Sequence, residues 1–222
     1  MDKFYLTGII NDYIVQEMCS YIDAKQGEES ITIYIDSPGG DVFAGLRSVK
    51  AIGNSKTPIV AECGVVVASI ASVIALSCPQ IKINKDTFIM VHRPWVEIAG
   101  TAEELLSTAS LLEQAADNII NVVKSKAKDE SVVDDWFKAP ETWFGAQAIL
   151  DNFKDVTLDE EMTINTKIIE IGNRLKKAPK ELITLVAQLR EETKELDQEP
   201  EPKITQVENL LAKEILAKCK DL

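Results

Sequence analysis

A single histidine among 222 residues confines any imidazole chemistry to His92. It follows the apolar run Thr87-Phe88-Ile89-Met90-Val91 and stands two places before Pro94, which helps to fix the chain direction. Ser69 opens a run of small and apolar residues, Ser69 to Ser77, that suits a helix. A hydroxyl at a helix start is open to a substrate backbone, and the amide of Ile70 could stabilise an oxyanion there. A third segment, Ser37-Pro38-Gly39-Gly40, comes directly after a β-branched run. Two glycines let the backbone turn sharply and leave amide N–H groups unobstructed by a Cβ, as an oxyanion hole requires. Each segment also has a plainer reading: a turn, an N-cap serine, a surface histidine. Their order along the chain, with the glycine pair first, then the serine, then the histidine, makes the combination more specific than any one segment alone.

Composition narrows the classes. The chain carries 36 acidic and 24 basic side chains, a net charge of −12, which argues against a nucleic-acid binder held by phosphate contacts. An apolar fraction of 45% argues against a disordered chain. Cys19, Cys63, Cys78 and Cys219 are scattered without CxxC spacing, so neither a zinc site nor a disulfide framework is indicated. No metal or cofactor is expected. The opening Met1-Asp2-Lys3-Phe4 lacks the order of a signal peptide, and the uncharged stretch from Cys63 to Ile81 is short and polar for a spanning helix. A cytoplasmic protein with reduced thiols and no membrane segment is the expectation.

The elements that must position these residues follow from pattern. Phe4–Ile10 suits a strand and Tyr13–Lys25 a helix. Ile31–Ile35 suits a strand that Ser37-Pro38-Gly39-Gly40 is expected to stop. Val42–Ile52 has helical spacing, Pro58–Glu62 is a strand, Ser69–Ser77 a helix, and Ile81–Ile83 and Thr87–Val91 are further strands. Strands alternating with helices predict α/β architecture. From Ala102 to Ala127 one long helix is predicted, with Leu105, Ala109, Leu112, Ala116, Ile119 and Val123 forming a heptad seam. Such a helix spans about 39 Å, so it is expected to project beyond its own core and pack against another subunit. Net charge is −11 over residues 1–160 and −1 over 161–222. A boundary near residue 160 therefore separates one domain, 1–160, from a charged helical tail, 161–222, with Gln198–Pro202 as a linker inside it.

Three segments in register carry a family resemblance. Ile33-Tyr34-Ile35-Asp36-Ser37-Pro38-Gly39-Gly40-Asp41-Val42 resembles the Ser-Pro-Gly-Gly segment of Clp-type serine peptidases, the ClpP family. Ala68-Ser69-Ile70-Ala71-Ser72 resembles their nucleophile motif, Val91-His92-Arg93-Pro94 their His-x-Pro motif, and Phe4–Ile10 their first strand. The resemblance covers about residues 4–158. It implies an α/β ClpP/crotonase-like fold with a projecting handle helix, here followed by a C-terminal helical extension. It also implies a serine endopeptidase with Ser69 as nucleophile and His92 as base. The acid position falls on Glu141 in place of the family's aspartate, with Asp134 and Asp135 as alternatives. The amides of Gly40 and Ile70 match the oxyanion hole, and Gly100 falls in the family's substrate-pairing strand.

Homo-oligomeric rings acting on polypeptide substrates are implied as well. The segment Glu141-Thr142-Trp143-Phe144-Gly145-Ala146 is similar to one typical of phage Clp-like head maturation proteases. On that resemblance the tail is expected to bind capsid or scaffold proteins. The alternatives are a cellular Clp-type peptidase working with an ATPase, a crotonase-like acyl-CoA hydratase, and a catalytically inactive scaffold ring. Only Met1-Asp2-Lys3 precede the first strand, whereas housekeeping Clp peptidases carry further residues there that contact an ATPase ring. That difference tells against ATPase docking.

Overall fold

In chain order the strands and helices are β1 (Phe4–Ile10), α1 (Asp12–Ala24), β2 (Ile31–Gly40), α2 (Val42–Asn54), β3 (Ile59–Ala68), α3 (Ile70–Ser77), β4 (Gln80–Ile83) and β5 (Phe88–Val91). They continue as α4 (Ala102–Lys126), α5 (Val133–Trp136), β6 (Thr142–Gly145), α6 (Ala146–Asn152) and β7 (Val156–Leu158). These come from a computed structural model that describes residues 3–159. The 161–222 tail and Cys219 lie outside the described residues.

Alternation of strand and helix gives the mixed α/β fold that the sequence predicts. Strands β1, β2, β3, β4 and β7 pair in that order, each contact parallel. Strand β3 is shared along its length. Val60–Glu62 pair with β4, and Val66–Ala68 pair with β5. The gap between those ladders is bridged by Thr87, whose Oγ1 lies 2.9 Å from the Gly64 carbonyl oxygen and accepts from Asn84 N at 3.0 Å. Buried Ile, Val, Leu and Ala side chains from β1, β2, β3, α1 and α3 make up most of the core. Cys63 and Cys78 are fully enclosed in it, and burial pushes both thiols up, Cys78 to about 12. Neither is a thiolate at neutral pH.

Two strands run further than predicted. The Ser-Pro-Gly-Gly segment does not stop β2. The strand continues through it with a register shift, pairing Ser37 with Val67 on one side and Gly39 and Gly40 with Ile9 and Ile10 on the other. A bulged strand tolerates Pro38, which is exposed and has no N–H to leave unpaired. Strand β3 likewise extends past Glu62 to Ala68, because Cys63 and Val67 pair with β2 and Val66–Ala68 pair with β5.

Helix α4 starts at a capping box, in which Thr101 Oγ1 accepts from Glu104 N and Glu104 Oε2 accepts from Thr101 N. The heptad seam is buried over its second half only. Of the seam, Ala116, Ile119 and Val123 are buried against the core, whereas Leu105 and Ala109 are exposed and Leu112 half-buried; Leu106 and Leu111, beside the seam, are exposed at 73% and 50%. Side chains along the first half of the helix therefore find little cover among the described residues. Among the described residues, no helix is long and apolar enough to cross a membrane. The uncharged Cys63–Ile81 stretch is the end of β3 followed by α3 and the start of β4, all of it largely buried.

Candidate active site

The end of β3 delivers Ser69. Its amide donates to the Met90 carbonyl of β5 at 3.0 Å, extending the β3–β5 ladder by one step. The backbone then turns through φ 58°, ψ −130°, a conformation non-glycine residues adopt only where the surroundings enforce it. Ser69 stands at the N-cap position of α3, yet its side chain makes no capping bond. Its Oγ instead lies 2.7 Å from His92 Nε2. The N-cap reading is thereby set aside in favour of a serine–histidine pair. For Nε2 to accept the hydroxyl proton, the imidazole must carry its own proton on Nδ1.

Glycine is required beside this serine for steric reasons. Gly39 has φ +97°, and a Cβ there would stand 2.6 Å from Ser69 Cβ and 2.8 Å from the Ala68 carbonyl oxygen. Gly40 faces the other way, toward β1, where a Cβ would meet the Ile10 carbonyl oxygen at 2.2 Å. The Gly39 amide donates to Ser37 Oγ at 3.0 Å, and Ser37 Oγ donates to the Gly8 carbonyl at 2.6 Å. The Ser-Pro-Gly-Gly segment is thus locked between β1 and Ser69. Replacing Gly39 with alanine is expected to displace the serine and lower kcat about 100-fold, the scale of a 1 Å misplacement. Steady-state peptide hydrolysis beside a thermal melt measures this, the melt reporting whether the fold survives.

Glu141 stands immediately before β6, a segment not predicted as a strand. β6 runs antiparallel to β5, with Val91 opposite Thr142. Continuing that register by one residue puts Glu141 opposite His92. Burial holds the His92 imidazole below its ordinary value, and the Glu141 carboxylate acts in the opposite direction by favouring the imidazolium. Among the described residues, Glu141 and His92 share no hydrogen bond; Glu141 Oε2 accepts from Trp143 Nε1 at 2.9 Å. Asp134 and Asp135 are engaged elsewhere, in ion pairs with Lys124 and Lys138. Ile70 is the first residue of α3, beside Ser69, and its side chain packs against Gly45 of α2, where a Cβ would stand 2.0 Å from Ile70 Cγ1. Gly100 lies in residues 92–101, which form no strand within the chain.

The hydroxyl of Ser69 and the imidazole of His92 thus meet at the carboxyl ends of the parallel strands β3 and β5, an arrangement that could carry nucleophilic acyl transfer. Comparison with known proteins gives the family. The Clp protease family model matches residues 3–143. The ATP-dependent Clp protease proteolytic subunit of Streptococcus suis is 30% identical over 167 residues, covering 68% of this chain and 84% of that one. The protein of the same name from Streptococcus salivarius is 30% identical over 152 residues, covering 62% and 77%. That of Porphyromonas gingivalis is 26% identical over 154 residues, covering 64% and 69%. The chain belongs to the Clp protease family and is a serine-type endopeptidase.

Proposed function

We propose that the chain hydrolyses peptide bonds through Ser69, His92 and Glu141, with the amides of Gly40 and Ile70 binding the oxyanion. The observation that carries this reading is the 2.7 Å approach of Ser69 Oγ to His92 Nε2. His92 accepts the hydroxyl proton as Ser69 Oγ forms a bond to the substrate carbonyl carbon. It then donates that proton to the leaving amine as the peptide C–N bond breaks. Water, deprotonated by the same imidazole, releases the acyl group. Glu141 stabilises the imidazolium. An extended substrate would pair along residues near Gly100 by β-augmentation.

A ring of copies, joined through the exposed first half of α4, supports specificity by access to an enclosed chamber. The narrower role we propose is maturation of a phage head, supported by the Glu141–Ala146 segment and tested by co-expression with capsid and scaffold precursors. A second reading, a cellular peptidase working with an ATPase, draws on the relatives' name, "ATP-dependent Clp protease proteolytic subunit". Cleavage of the precursors without ATP favours the first; folded-substrate degradation only with an ATPase and ATP favours the second.

The pH dependence tests the base directly. A lowered His92 value means that the neutral, proton-accepting form persists to more acidic pH than for a free imidazole. Activity is expected to rise with pH and reach half its plateau below the ordinary value of 6.5. A kcat/KM profile on a peptide substrate measures this. A midpoint well above 6.5 would contradict the burial seen here.

A further inference from the structure

The hydrogen bond from Trp143 to Glu141 adds a residue to this site. Glu141 stands immediately before β6 and Trp143 two places further on within it, so with the strand's alternation carried back one residue their side chains leave the same face. Trp143 is 48% exposed, and its indole N–H is directed onto Glu141 Oε2 at 2.9 Å. The strand beneath is fixed. Phe144, on the opposite face, is buried in a ring cluster 5.0 Å from Trp136 and 5.2 Å from Phe153, and Thr142 Oγ1 donates to the Trp136 carbonyl at 2.7 Å. Met90 and Val91 of β5 pair with Trp143 and Thr142. The indole is thus mounted on the strand pair that sets the spacing between His92 and Glu141.

Glutamate has one more rotatable bond than aspartate, and an exposed carboxylate on that longer arm sweeps a wider arc. A donor holding one carboxylate oxygen removes that freedom and leaves the other oxygen available to the imidazole. We propose that Trp143 is a positioning residue that holds Glu141 in place to serve His92. The proposal rests on Glu141 being the acid of the site.

A double-mutant cycle on the full chain separates the two claims. Trp143→Phe keeps an aromatic ring and removes the N–H. It is expected to lower kcat by about ten- to a hundred-fold, the scale of one hydrogen bond to a charged group. KM should stay unchanged, and the acid limb of the kcat profile should move to lower pH as the imidazolium loses its partner. In a Glu141→Gln background the same change should have no further effect on kcat. An equal loss in both backgrounds, or no loss in either while Glu141→Gln itself is impaired, overturns the role of Trp143 and leaves Glu141 standing. An unimpaired Glu141→Gln protein overturns the acid assignment and the positioning role with it. A second readout is independent of how Trp143→Phe folds. The indole N–H proton resonance of Trp143 should shift on Glu141→Gln, and an unmoved resonance contradicts the contact.

Discussion

Replacing Ser69 by alanine is expected to lower kcat for peptide hydrolysis by about a million-fold, the loss seen when a triad nucleophile is removed. The size of the effect follows from the chemistry. Without the Oγ there is no acyl intermediate, and what remains is water attack in a site built for another nucleophile. Folding should be unaffected, because alanine at φ 58° carries the same backbone strain as serine and removes only the bond to His92. A thermal melt unchanged within error, beside the lost activity, is the paired observation. Replacing both Ser69 and His92 should do no more harm than replacing Ser69 alone, since the two act as one unit.

Replacing Glu141 by glutamine is expected to lower kcat about ten-thousand-fold, the scale observed when a triad carboxylate becomes an amide. The change is nearly isosteric, so what it removes is charge. The imidazolium that forms as Ser69 attacks then lacks its counter-charge. The sign on pH is also fixed: the carboxylate raises the His92 value against burial, so its removal should move the acid limb to still lower pH while the plateau falls. Peptide hydrolysis across the acid range measures both. Asp134→Asn and Asp135→Asn should leave kcat near that of the parent protein, since those carboxylates are paired with Lys124 and Lys138.

Much of this was legible in the sequence, for identifiable reasons. Strand β1 and helices α1, α2 and α4 are regular elements with strong periodicity, and all four fall within two residues of their predicted ends. Ser69 and His92 could be named because the glycine pair, the serine and the histidine occur in one order along the chain, and the resemblance of those three segments to Clp-type serine peptidases implied their roles. Where the reading failed, a tertiary contact had overridden a local signal. Gly39 and Gly40 look like a stop, yet neighbours on both sides pair with the segment and carry the strand through it. The elements from α5 to β7 are three to seven residues long, too short for periodicity to register, and they are held by packing around Trp136, Phe144 and Phe153. The partner of Glu141 was missed for the same reason. Only once 142–145 is known to be a strand does Glu-x-Trp place both side chains on one face.

The most direct test of the central claim is labelling of the assembled protein with a fluorophosphonate, followed by peptide mapping. One modification per chain is expected, on the Ser69 hydroxyl, with the rate falling sharply when His92 is replaced by alanine. Modification at another residue, or an Ser69 that labels equally fast without the imidazole, would contradict it.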